Sequence, residues 1–444
     1  MTKMKFLKDI NFYLAGLFFY FTFFQIGYLS VYLLLIFLFA NFDKLISYKN
    51  IFFSVTICFY ILRFLFALSS TFDNLWKHMS LNNFSSYERF WDLQLNLISM
   101  KCIFSNVENY YLKFSPTSFK SCPYSAKYGP LSTKVPYFGD IWVGTIILSL
   151  VVILFLLYFY VSFYSQNSKN FFLVTFLFMS PSFNFLIERM NIDIFIFIFS
   201  ILCINYYEKF PKASIVVILI LSLYKIHPIG LLFGLLFCSH LKKNKYQFNY
   251  ILNSIIIFFI LYFLDSIFFS NNILDTEWRP AGLDITFGIL SDSIIISKYI
   301  NIEYYFIYPF LILVPAILAL FSSKEVITFD KQLENKDIVY FFSFSFFFLI
   351  NFLYANYDYR LPLFLPLIYI MSKYSKNNFT YIFIFLMPLS IPPLLGYELA
   401  ILNKTLLIIG RASLYFFYYV VLTTIKNYFF SSMDYSYLND PETK

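Results

Sequence analysis

The stretch WVGTIILSLVVILFLLYFYVSFY, residues 142–164, runs for 23 residues without one charge. As an α-helix it measures about 35 Å, more than the roughly 30 Å hydrocarbon core of a bilayer. Apolar side chains occupy every side of it, so it belongs in lipid rather than on one face of a soluble core. Comparable blocks lie on both sides of it, at 12–41, 51–69, 170–186, 192–207, 213–224, 226–240, 249–269, 304–322, 339–354, 361–372, 379–396 and 405–425. The chain of 444 residues is 60% hydrophobic and only 13% charged, about half the charge of an ordinary soluble domain. A soluble protein is excluded. The sequence describes an all-α polytopic membrane protein with about 12–13 hydrophobic segments, several of them short or broken.

Lysine outnumbers arginine 27 to 6, and its distribution orients the chain. Lys44 and Lys49, Lys169, Lys209 and Lys212, Lys242, Lys243 and Lys245, Lys324, Lys331 and Lys336, then Lys373 and Lys376 occupy alternate short connections. The positive-inside rule makes those connections cytoplasmic. The other side then receives the long loop 70–141, the turns 188–193, 225–228 and 356–360, the loop 270–303 and the turn 396–403. The expected organisation is N-terminal transmembrane segments over 1–69, a large outer loop over 70–141, a transmembrane bundle over 142–425 and a cytoplasmic tail over 426–444. Lys3, Lys5 and Lys8 precede an apolar block of about thirty residues, too long for a signal-peptide core, so it is expected to stay in the mature chain. That block forms one span or two short helices broken near Gln25 and Gly27, and its lysines favour two. The expected location is the plasma or inner membrane, with the active face non-cytoplasmic.

Four of the six arginines, Arg89, Arg189, Arg279 and Arg360, fall on the outer side, where topology does not require them and a guanidinium suits phosphate or carboxylate. Snorkelling to headgroups or pairing with acids accounts for each of them equally well. In the long loop, ERFWDLQLNLISMKCIF (88–104) sets Phe90, Leu93, Leu97, Met100 and Phe104 at helical steps, with Glu88, Asp92, Asn96 and Ser99 opposite. That pattern predicts a helix on the membrane surface. Asp92 on it is a partly desolvated carboxylate suited to a general base, although a solvated surface acid fits the same spacing. Cys102 and Cys122 of this loop either pair or stay free thiols.

Further along, SPSFNFLIERMNIDIF (180–195) leads towards YKIHP (224–228). Asn191 and Asp193 at a helix start are also ordinary capping residues, and Lys225 closes a short span on the outer side. NYDYRLP (356–362) contributes Asp358 and Arg360, two apart and so directed at different partners. Glu277, Trp278, Arg279 and Asp284 add a fourth outer polar element. No Cys/His ligand spacing, P-loop, GxGxxG, HExxH or nucleophile elbow occurs, so no metal, cofactor or nucleic-acid partner is expected.

Together these segments resemble the GT-C superfamily of polytopic glycosyltransferases, most closely glycosyltransferase family 87, which uses polyprenyl-phosphate sugars. FWDLQLNLISMKCIF, followed by SNVENYY and YGPL (128–131), is similar to the family's first outer loop, where an Asp precedes a segment ending in Tyr and a Tyr-Pro-Pro-Leu-like stretch. ERMNID resembles its Gly-Asn-x-Asp element after a Ser-Pro turn, YKIHP its Lys-x-x-Pro element, and NYDYRL adds support near the end. The resemblance covers residues 85–240. Met190 stands where Gly is expected, Gly129 stands for the first Pro, and the N-terminal hydrophobic block is an addition.

The resemblance implies inverting transfer of mannose or another hexose from a polyprenyl-phosphate donor to a lipid or glycan acceptor at the outer leaflet, among membrane lipids. Asp92 then takes the acceptor proton, Lys225, Arg360 and Arg189 hold the donor phosphate, and Asn96, Asn191, Asp193, His227 and Asp358 support them. A transporter or flippase of a lipid-linked or anionic substrate, and a polysaccharide polymerase or ligase, share the polytopic form. The large loop's place before most spans favours the glycosyltransferase.

Overall fold

A computed structural model describes residues 49–69, 71, 89–102, 110–111, 118–119, 131, 136–164, 171, 174–175, 178, 181–269, 286–322, 335–353, 356–357, 363–374 and 400–438. The expected break near Gln25 and Gly27, the block 379–396, Cys122, Arg279, Asp358 and Arg360 lie outside the described residues.

The described chain is helical. α1 (Lys49–Ala67) precedes α2 (Trp91–Cys102), which lies in the long loop. Then come α3 (Ile141–Tyr164), α4 (Pro181–Arg189), α5 (Ile192–Tyr206), α6 (Pro211–Tyr224), α7 (Ile229–Leu241) and α8 (Lys245–Phe269). The last five are α9 (Ile289–Ile300), α10 (Tyr304–Phe321), α11 (Asn335–Leu353), α12 (Leu365–Tyr374) and α13 (Ala400–Leu438). Among the described residues strand is confined to two short antiparallel pairs. β1 (Tyr110–Tyr111) pairs with β2 (Ser118–Phe119), and β3 (Thr286–Phe287) with β4 (Asn356–Tyr357).

Among the described residues five helices, α3, α8, α10, α11 and α13, are long and apolar enough to cross a membrane. Outward-facing Ile256, Phe259 and Phe263 on α8, with Phe306, Phe310 and Leu313 on α10, form apolar faces that water would penalise and lipid would not. α5 and α6, with 15 and 14 residues, are about 21–23 Å long and stop short of a roughly 30 Å core. The helix expected over 88–104 begins at Trp91, and α4 and α12 continue three and two residues past the ends of the expected segments 170–186 and 361–372, to Arg189 and Tyr374. They can do so because polar residues in their last turns find partners. Lys373 at the end of α12 holds Asp337 at 2.6 Å, and the Tyr374 hydroxyl donates to the same carboxylate. α13 continues through residues 426–438, expected as a tail, and the expected loop 270–303 contains α9.

The centre of the bundle is the antiparallel contact of α7 with α11. A Cβ on Gly230 would lie 2.6 Å from the Phe346 carbonyl oxygen, and one on Gly234 would lie 2.4 Å from the Ser343 Cα. The two backbones therefore touch, and GLLFG is the small-xxx-small spacing that lets membrane helices approach so closely. One turn further on, the Cys238 thiol donates to the Ile338 carbonyl at 3.8 Å, which fixes the direction of the pair.

Following these directions through the chain sorts the charges. Lys209, Lys212, Lys242, Lys243, Lys245, Lys336, Lys373 and Lys426 collect at one end of the bundle. The described arginines, Arg63, Arg89, Arg189 and Arg411, collect at the other, together with Lys101, Lys225 and Lys298. At this arginine end Arg411 of α13 pairs with Asp292 of α9 at 3.2 Å, and the Tyr415 hydroxyl donates to the same carboxylate at 3.0 Å. Burial pushes the Asp292 carboxyl above its ordinary range, and Arg411 and Tyr415 pull it partly back.

The glycine contact makes a direct prediction. Gly234→Ala should force α7 and α11 apart and cost about 1–3 kcal/mol, the usual range for overpacking. Gly139→Ala, whose new carbon would meet only the Tyr137 side chain, should be tolerated. Melting of the two purified variants, followed by the monodisperse fraction on size exclusion, checks this; equal melting would show that the helices are not in backbone contact.

Candidate functional site

Six consecutive residues, Glu188 to Asp193, join α4 to α5 and reach three other parts of the chain. Glu188 pairs with Arg63 of α1 at 2.9 Å, with both side chains almost fully buried. Its backbone carbonyl accepts from the Phe90 amide at 2.9 Å, which anchors the start of α2. Arg189 points the other way and donates to Asp92 Oδ1 from Nε at 3.0 Å and from Nη2 at 2.5 Å. Asn191 donates from Nδ2 to Asp92 Oδ2 at 2.7 Å, while its Oδ1 accepts the Asp193 amide and caps α5. Asp193 lies against the Lys225 ammonium at 2.5 Å, again with both side chains buried.

α2 is docked over these helix ends. Phe90, Leu93, Leu97 and Ile98 are buried, and so are Gln94, Asp92 and Ser99 on its other sides. It is covered on much of its circumference. The α4–α5 junction itself turns on Met190, which is fully buried at φ 47°, and α2 is preceded by Phe90 at φ 52°. Side chains are rarely held in that left-handed region, at a cost of about 1–2 kcal/mol each. Met190 holds a backbone conformation that Gly would adopt without strain.

The structure thus brings Asp92, Arg189, Asn191, Asp193 and Lys225 into one cluster at the arginine end. His227 is buried in the turn between α6 and α7, where its carbonyl accepts from Gly230. Asn96 does not face the cluster with its amide; it donates to the Asp92 backbone carbonyl at 2.7 Å. Arg89, an expected outer arginine, donates to the Ser69 carbonyl at 2.7 Å and the Ala67 carbonyl at 3.4 Å, closing the end of α1 where a cation is favoured. Asp358 and Arg360 lie outside the described residues, though β4 immediately before them is paired with β3 at this same end.

Arg63 and Glu188 have no assigned role in the sequence reading, yet they carry the most buried ion pair at the site. The signal was present: an arginine inside the apolar block 51–69 demands a partner.

Chemically, the cluster offers a carboxylate oriented through both oxygens: Arg189 donates twice to Oδ1, and Asn191 donates once to Oδ2, which keeps a lone pair to give. Arg189 is the partly exposed member, so the way in from solvent or headgroups leads past it. Comparison with known protein families, with curated proteins and with solved structures finds no match to this chain.

Two predictions follow from the junction. Arg63→Met strands a buried carboxylate and should cost about 3–5 kcal/mol, whereas Arg63→Met with Glu188→Leu should regain most of it. Thermal melts that leave the double variant as unstable as the single one would deny the pair this role. At Met190, both Ala and Gly remove a buried side chain, at about 2–4 kcal/mol, but only Gly is at ease at positive φ. Met190→Gly should therefore melt higher than Met190→Ala, the reverse of the usual order in a helical protein.

Proposed function

We propose that the chain is an integral-membrane glycosyltransferase that moves a hexose from a polyprenyl-phosphate donor to a lipid or glycan acceptor at the non-cytoplasmic face. The observation that carries this reading is Asp92: a carboxylate on a docked helix, oriented by Arg189 and Asn191, beside the Asp193–Lys225 pair, at the arginine end. The positive-inside rule makes the lysine end cytoplasmic and so turns the cluster outward.

In this mechanism the acceptor hydroxyl oxygen attacks the anomeric carbon of the donor, and the bond from that carbon to the phosphate oxygen breaks. The hydroxyl proton passes to Asp92, and the electron pair leaves with the polyprenyl phosphate. Arg189, the exposed cation, stabilises the charge growing on that phosphate, and Lys225 and Arg360 are the further cations assigned to it. Binding the donor draws the Arg189 guanidinium toward phosphate and releases lone pairs on Asp92 Oδ1 at the moment a base is needed. A second reading, movement of an anionic lipid across the membrane, is favoured by short helices meeting at a buried ion pair.

One experiment separates them. Purified protein in liposomes, given a polyprenyl-phosphate hexose and a membrane-lipid acceptor, should release polyprenyl phosphate and form a glycolipid. Asp92→Asn should lower that rate by about 10²- to 10⁴-fold with unchanged yield of folded protein. Donor that crosses the bilayer without release of polyprenyl phosphate would replace the transferase reading with the transporter, and a fully active Asn variant would remove Asp92 as the base.

A further inference from the structure

Away from this site, an open-sided cavity of about 600 Å³ separates α10 from α13. Leu318, Phe321 and Ser322 line it from one side, and Tyr415, Phe416 and Tyr419 from the other. Both walls belong to segments that cross the membrane, so the medium at its mouth is lipid. Its size falls within the range of about 300–1,000 Å³ typical of small-molecule sites.

The two ends of the groove differ. Towards the arginine end it is closed by Tyr415, whose ring is held in place because its hydroxyl donates to Asp292, itself paired with Arg411. Towards the lysine end stands Lys426, whose ammonium donates to the carbonyl of Ser322 at 2.6 Å and to that of Leu320 at 3.4 Å. Carbonyls fix its position but do not neutralise it, and no carboxylate among the described residues pairs with it. From Lys426 to Tyr415 is eleven residues along one helix, about 16 Å, which is half of a roughly 30 Å hydrocarbon core. The groove and Lys426 together therefore span about one leaflet: the lining on α13 stops at Tyr419, seven residues short of Lys426, and Ser322, which lines the groove at the end of α10, holds the Lys426 ammonium.

We propose that this groove binds one acyl chain of an anionic glycerophospholipid from the leaflet at the lysine-rich end, with the lipid phosphate on Lys426. A lysine that merely snorkels would sit at the same depth but would confer no preference among lipids. The inference is independent of the transferase reading, since it concerns the opposite leaflet and its test needs no activity.

The test is lipid retention. The full chain, exchanged into detergent with equal phosphatidylglycerol and phosphatidylcholine, should keep about one phosphatidylglycerol per chain in native mass spectrometry. Lys426→Gln should lower the preference for phosphatidylglycerol about fivefold, and Lys245→Gln, at the same end but outside the groove, should not change it. Leu318→Trp, which fills the groove, should abolish retention of either lipid. As a measurement that survives poor yield of that variant, a Phe416→Trp reporter should be quenched more strongly by phosphatidylglycerol with brominated acyl chains than by the choline lipid. Equal retention of the two lipids by the unsubstituted chain, an unchanged preference in Lys426→Gln, or equal quenching would each overturn the proposal.

Discussion

The site depends on one constraint: the charged groups of the α4–α5 junction are buried at a helix break and must each find a partner. Glu188 is tied to α1, Arg189 to α2, Asn191 to both α2 and α5, and Asp193 to the end of α6. Breaking any one of these leaves a charge or amide in a low-dielectric setting, where the penalty is large. The junction therefore fixes the relative placement of four helices more tightly than apolar packing would, since one apolar surface slides over another at little cost. The left-handed backbone at Phe90 and Met190 is held against its own preference by these ties.

Much of this arrangement was legible in the sequence, and the reason is that membranes enforce simple rules. Long apolar runs such as 142–164 have nowhere to go but a helix, and the described lysines of the short connections from Lys209 to Lys373 stand at one end of the bundle. The residues of ERMNID and YKIHP, marked as unusual by charge at a turn, are found together. Pairings were not legible. Asp92 and Arg189 are 97 residues apart, and nothing in local spacing says that they meet. The glycine contact of α7 with α11 was written in GLLFG but is invisible to a reading that counts charges and apolar lengths. The helix limits moved for a related reason: α4 and α12 extend because their terminal charges are paired, which only the tertiary structure reveals.

Arginine and lysine divide the molecule between them on physical grounds. The lysines of the connecting turns are point charges with flexible stems, sufficient for attraction to an anionic leaflet and for topology. The arginines make oriented contacts with carboxylates or carbonyls, as a planar fork of donors permits. With only six arginines in 444 residues, the four that are described are spent on fixing geometry at one end.

The Arg63–Glu188 pair has a consequence in time as well as in space. The two residues are 125 positions apart, and a ribosome adding about 5–20 residues per second needs about 6–25 s to pass from one to the other. During that interval α1 is complete without its counter-charge, and because Arg63 lies four residues from the end of α1 its guanidinium can snorkel to the headgroups meanwhile. When α4 emerges, Glu188 replaces that headgroup contact with a buried ion pair, so α1 takes its final depth and rotation only after α4 has been made.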